Sequence, residues 1–135
     1  MPKRKILLCL DLETGSETLA RFVADFFQLD ESVLHILYVE PNQSIPARLE
    51  RAQQQLQNLV AKSMPDLVHG VLAVRTGLPE DAILAYAEEH SVDLLVLGHR
   101  QDSIERIHVG STTRAVLSLS SSPVLVVPIN HFAIG

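Results

Sequence analysis

The residues best placed to do chemistry are few. Gly110-Ser111-Thr112 stands immediately before a helical pattern. Free backbone N–H groups and the helix dipole favour an anion at such a start, and hydroxyls add donors. A glycine there lets a phosphate approach the backbone closely. Ser111 reads equally well as a plain N-cap after a glycine turn. Three further positions close apolar runs: Asp11 ends the first, Val39 lies near the end of the second, and Gly98 ends the fourth. Asp11 also reads as a polar cap on a strand end, and Val39 as core packing. The six histidines (His35, His69, His90, His99, His108 and His131) form no metal-ligand spacing. His99 and His108 flank one loop and read as solvated. Cys9 lies inside an apolar run with no base close by, so it reads as a small buried hydrophobe. No P-loop or G-x-S-x-G elbow is present. The segment from Asp11 to Ser16 resembles a phosphate loop in outline, but Asp11 and Glu13 would repel the phosphate. The four serines between Ser118 and Ser122 read as a turn. No residue reads as a general base, so no catalytic mechanism is expected.

These positions need elements to hold them. Ile6–Leu10 is a continuous apolar run, the mark of a strand buried on both faces. Thr14 and Glu17 have capping-box spacing, and Leu19, Phe22, Val23, Phe26 and Phe27 follow at helical intervals. Val33–Val39 predicts a second strand, broken by Pro41-Asn42. Pro46 opens a longer helix with Leu49, Ala52, Leu56, Leu59 and Val60 on one face, and its four glutamines fit a solvated face. Val68–Val74 predicts a third strand, and Pro79 sits in a helix's first turn, ahead of Ala82, Ile83, Tyr86 and Ala87. Asp93–Gly98 is the fourth strand, His99–Val109 a long loop, Ala115, Val116 and Leu119 the face of a last helix, and Pro123–Pro128 the fifth strand. Strands alternating with helices imply parallel βαβ units with right-handed crossovers.

The chain has 135 residues, a size that suits one domain spanning 1–135 and buries a core without disulfides. A 47% hydrophobic and 20% charged composition is that of a globule. The formal net charge of -5 argues against nucleic-acid or anionic-membrane partners. No apolar stretch reaches membrane length and no export signal is seen, so a cytoplasmic location is expected.

The segments ILLCLD, VRTGLPEDAILAYAEEHSVDLLVLG, VDLLVLGHR and VGSTTRAVLSLSSSPVLVVP are similar to the universal stress protein family, in the family's order and over nearly the whole chain. The resemblance implies an α/β fold, a five-stranded parallel sheet of order 3-2-1-4-5 with helices on both faces, as in adenine nucleotide alpha-hydrolase-like proteins. ATP-binding members carry a glycine, two residues, a second glycine, nine residues, then Gly with Ser or Thr. Gly98 matches the first glycine and Gly110-Ser111 the final pair. Gln101 stands at the second glycine, and eight residues rather than nine separate it from Gly110. A side chain thus stands where backbone should meet phosphate. The resemblance implies an adenine nucleotide site of Asp11, Val39, Leu97, Gly98, Gly110, Ser111 and Thr112, weakened by Gln101, for ATP or AMP with Mg. It also implies a homodimer through the last strand, Val124–Val127. Two functions follow from the resemblance as expectations: a dimeric stress-response regulator that acts through protein partners with weak or no nucleotide binding, or an ATP-dependent switch with at most slow ATP hydrolysis. A response-regulator receiver does not fit, because Arg75-Thr76 and Pro128 stand where it needs an aspartate and a lysine.

Overall fold

A computed structural model describes residues 3–41, 45–101 and 110–130. The order of elements is β1 (Arg4–Leu10), α1 (Ser16–Phe26), a 3-10 turn (Leu29–Glu31), β2 (Ser32–Glu40), α2 (Pro46–Ser63), β3 (Gly70–Thr76), α3 (Pro79–Glu89), β4 (Leu94–Gln101), α4 (Ser111–Leu119) and β5 (Val124–Asn130). The strands form one parallel sheet in the order β3-β2-β1-β4-β5, as the resemblance implied.

The continuous apolar runs are explained by a sheet covered on both faces. Ile6, Leu8, Leu10, Leu34, Ile36 and Val96 point to one side and pack with Leu19, Val23, Leu56 and Val60 of α1 and α2. Leu7, Cys9, Leu37, Val39, Leu95 and Leu97 point to the other and pack with Ile83, Tyr86, Ala87 and Val116 of α3 and α4. Successive residues of a strand alternate between faces, so a central strand with two covered faces has no polar position. Each fully buried Leu, Ile or Val contributes about 1.5–3 kcal/mol relative to exposure.

Several boundaries differ from the sequence reading. Gly15, not Thr14, is the N-cap of α1, at φ 102 in the left-handed region. The capping box does not form there: Glu17 instead accepts from Arg21 at 2.8 Å and lies 3.6 Å from Lys62. Phe26, placed on the apolar face by its spacing, is 66% exposed and stacks on Phe22 at 5.2 Å. Val68 precedes β3 and is exposed; the strand begins at Gly70, where pairing to Leu34 starts. Leu119 ends α4 exposed. β5 starts at Val124 and runs two residues beyond Pro128 to Asn130; the missing N–H of Pro128 is tolerated because β5 pairs only with β4 among the described residues. β4 runs three residues into the expected loop, pairing His99, Arg100 and Gln101 with Pro128, Ile129 and Asn130. The rest of that loop lies outside the described residues.

Candidate functional site

The sheet order places β1 and β4 side by side, with crossovers leaving in opposite directions. A crevice must open between their carboxyl ends. A cleft of about 560 Å³ lies there. All seven residues singled out from the sequence line it: Asp11, Val39, Leu97, Gly98, Gly110, Ser111 and Thr112. β1 delivers Asp11, β2 delivers Val39, β4 delivers Leu97 and Gly98, and the start of α4 delivers the rest.

Asp11 is held by its own loop. Its Oδ1 accepts the Ser16 hydroxyl at 3.0 Å and the Glu13 N–H at 2.9 Å. Leu12 between them adopts φ 60, which turns the chain sharply from β1 into α1. This arrangement aims one carboxylate at the cleft and secures the first turn of α1 through Ser16, in place of a side-chain cap.

The two glycines of the site differ in physical character. A Cβ on Gly98 would lie 2.5 Å from Ile129 Cδ1 and 3.1 Å from Leu19 Cδ2. Gly98 is therefore small because protein packs against it. A Cβ on Gly110 would meet nothing within 4 Å among the described residues, and its φ of -63 suits any residue. Among the described residues, neither packing nor backbone conformation requires glycine at position 110. α4 begins directly after it, with Arg114 N–H donating to the Gly110 carbonyl at 3.0 Å. The N–H groups of Ser111, Thr112 and Thr113 precede that first helical bond, and such first-turn groups lack intrahelical partners. The Thr113 hydroxyl lies 3.5 Å from the Gly98 carbonyl, a long contact tying α4 to β4.

Sequence reasoning missed several lining residues. Tyr38, Ile83, Thr113 and Ile129 also face the cleft, as do Glu13 and His99. Ile83 and Ile129 carry no local signal, since a cleft isoleucine looks like a core isoleucine until the sheet order is known. Tyr38 is different, being a polar-tipped aromatic next to Val39. Its hydroxyl donates to Glu40 at 3.1 Å. Burial, that bond, and the charges of Glu40, Asp11 and Glu13 push its pKa up to about 12. Glu40 is itself buried. His99 Nδ1 is buried and has no hydrogen-bond partner among the described residues. Cys9 also lines the cleft, and burial pushes its thiol pKa far up, so it is a poor nucleophile. Among the described residues, no group of three or more His, Cys, Asp or Glu is arranged to hold a metal ion.

A parallel β3-β2-β1-β4-β5 sheet with a cleft at its switch point defines the adenine nucleotide alpha-hydrolase-like class of α/β domain, and the comparable solved structures are of that class. The chain belongs to the universal stress protein family, whose model matches residues 3–128. It is 31% identical over 125 residues to universal stress protein Slr1230 of Synechocystis, covering 90% of this chain but 41% of that protein's length. It is 30% identical over 118 residues to universal stress protein G of Shigella flexneri, covering 77% of this chain and 83% of that one. Among solved structures, the protein MJ0577 superposes with a TM-score of 0.78 at 23% identity over 95% of this chain and 97% of its own. A universal stress protein from Archaeoglobus fulgidus in complex with dAMP superposes at 0.73, with 21% identity over 93% and 98% of the two chains. One solved in complex with cAMP superposes at 0.71, with 18% identity over 96% and 99%. At these identities the structures establish the fold. No helix among the described residues is long and apolar enough to cross a membrane.

Proposed function

We propose that this chain is a stress-response regulator that takes an adenine nucleotide weakly in the cleft and acts as a homodimer through protein partners. The observation that carries the nucleotide is the convergence of all seven singled-out residues on one cleft at the switch point. Gly110 supports it further, because a glycine that its φ does not require and that no described residue packs against is explained by a ligand that approaches the backbone there. The two relatives solved with dAMP and cAMP show that this fold accommodates adenine ligands in other members.

Weak grip follows from the other end of the site. ATP-binding members are expected to turn with glycine at the position of Gln101. Here β4 continues through Gln101, which pairs in register with Asn130. A ladder strand commits its backbone groups to its neighbours, which leaves fewer of them for phosphates. An ATP switch with tight binding is therefore the second reading, supported by the cleft alone.

The dimer rests on β5. Its outer edge has no partner strand among the described residues, and free edge groups invite pairing with a second copy about a two-fold axis. The proposed contact centres on Val124–Val127.

Calorimetric titration of purified, nucleotide-free protein with AMP and with Mg-ATP tests the proposal. Binding with a dissociation constant above about 10 μM supports it. A submicromolar Mg-ATP isotherm, or ATP co-purifying in stoichiometric amount, would make the protein a tight nucleotide switch instead.

A further inference from the structure

Titratable rings pack together at the carboxyl end of α3. His35 of β2 is 6% exposed, and its Nδ1 lies 2.6 Å from the Tyr86 hydroxyl. The His90 ring stands 4.1 Å from that of Tyr86 and 5.0 Å from that of His35. Cations border the cluster. The Arg75 guanidinium of β3 lies 5.2 Å over the Tyr86 ring, and Lys5 of β1 donates to the His90 carbonyl at 3.2 Å. Of the acidic residues near the end of α3, Glu88 and Glu89 are exposed, and Asp93 accepts the Lys5 N–H at 2.8 Å.

A proton on His35 disturbs this arrangement in two ways. Nδ1 of a neutral ring can accept the Tyr86 hydroxyl, whereas both nitrogens of the protonated ring only donate. The charge also arrives where there is little water to solvate it, beside His90 and Lys5. Burial first, then His90 and Lys5, hold the pKa of the ring below its ordinary 6.5. Movement of α3 off β2 admits water and relieves both costs.

The cluster and the cleft share one seam. Along β2, His35, Leu37 and Val39 point to the side of α3, and Leu37 and Val39 line the cleft. Along α3, His90, Tyr86, Ile83 and Pro79 follow at turn spacing, and Ile83 and Pro79 line the cleft. Leu37, Val39, Ile83 and Tyr86 belong to one packed core, and close-packed interiors transmit strain. A displacement at the His35 end therefore reaches the cleft wall.

We infer that the His35–Tyr86–His90 cluster is a proton-sensitive fastening of α3, and that protonation of His35 loosens the α3–β2 seam and weakens ligand binding in the cleft at its other end. The ligand half rests on the adenine reading above, and the seam half does not. By linkage, a bound ligand disfavours the proton on His35 by the same factor by which acid weakens binding.

Nitrogen-15 NMR of the ligand-free chain between pH 7.5 and 5.0, followed by calorimetry with adenosine at both ends, tests it. Adenosine carries no phosphate to titrate in this range. The amides of Leu37, Val39 and Ile83 are expected to titrate together with the His35 ring signals, and adenosine affinity to fall at least about threefold. His35→Gln, whose amide oxygen still accepts the Tyr86 hydroxyl, is expected to abolish both changes. His99 lines the cleft and is the competing source, so His99→Gln is expected to keep both changes whatever its affinity at pH 7.5. Amides that stay flat while His35 titrates would overturn the inference. So would an adenosine affinity unchanged with pH, or a response that survives His35→Gln and disappears in His99→Gln. No heat with adenosine at either pH would remove the adenine reading, and the amides would still decide the seam.

Discussion

Replacing Gly98 with alanine separates packing from ligand approach as the reason for that glycine. The added methyl would lie 2.5 Å from Ile129 Cδ1 and 3.1 Å from Leu19 Cδ2. Carbon atoms rest at about 3.5–4.0 Å, so Ile129 must retreat by roughly 1 Å or more. It has little room, because it is only 7% exposed. Its Cγ2 also lies 2.6 Å from where a Cβ of Gly15 would stand. Ile129 is therefore seated in a notch made by two glycines, one from the start of α1 and one from β4. Overpacking of this kind costs about 1–3 kcal/mol, so Gly98→Ala should lower stability by that amount in urea unfolding. Ile129→Ala alone should cost about 2–4 kcal/mol through its cavity. In the double variant the cavity receives the methyl, so the combined loss should fall short of the sum by at least about 1 kcal/mol. Additive losses, or a Gly98→Ala protein as stable as the parent, would show that Ile129 does not set the size of residue 98.

Other outcomes follow from the same structure. Gly110→Asp should leave stability unchanged or raise it by a few tenths of a kcal/mol, because no described residue lies within 4 Å and aspartate is a good N-cap; it should weaken binding of any phosphate-bearing adenine ligand at least about tenfold, as calorimetry reads. His35 is 6% exposed, its Nδ1 lies 2.6 Å from the Tyr86 hydroxyl, and its ring stands 5.0 Å from that of His90. Burial, then the positive charges of His90 and Lys5, lower its pKa from 6.5. The unfolded chain therefore binds more protons, and this contribution to stability is complete above about pH 6.5 and lost as pH falls below it, by at most about 1.4 kcal/mol per pH unit. His35→Gln should flatten that slope between pH 7.5 and 5.5 in urea unfolding, and an unaltered slope would remove His35 as its source. Ser16→Ala should cost about 1 kcal/mol in the same assay, since it strips Asp11 of a 3.0 Å bond at the start of α1. Sedimentation equilibrium should give twice the 14.9 kDa chain mass; a mass that stays at one chain across micromolar concentrations would remove the β5 dimer.

What could be read from the sequence divides by range of interaction. The strands buried on both faces were legible because burial leaves no polar position, so β1 and β2 announce themselves. Asp11, Gly98, Gly110, Ser111 and Thr112 were legible because strand ends, glycines and hydroxyls before a helix are local features, whereas Leu97 and the site role of Val39, like the sheet order that brings the seven together, came from the resemblance. Gly98 shows the limit. Its type was noticed, but the packing reason lies in Ile129, whose approach depends on the β4–β5 register. The same register carried β4 through Gln101, where composition suggested a loop. Thr14 and Glu17 misled because capping-box spacing ignores competitors: Gly15 took the N-cap, and Glu17 found Arg21 and Lys62. Phe26 misled because an apolar residue at the end of a helix can run past the core it points toward. The His35–Tyr86–His90 cluster was invisible, since its members lie on different elements and have no spacing in common.

The central claim is that an adenine ligand occupies the cleft at the switch point. Nitrogen-15 NMR of the labelled chain, titrated with adenosine and then AMP, tests it most directly. The account predicts that the amides of Val39, Gly98, Ser111 and Thr112 shift together along one saturating curve, while those of α2 stay still. Absence of any shift at millimolar ligand, or shifts confined to residues outside the cleft, would contradict it.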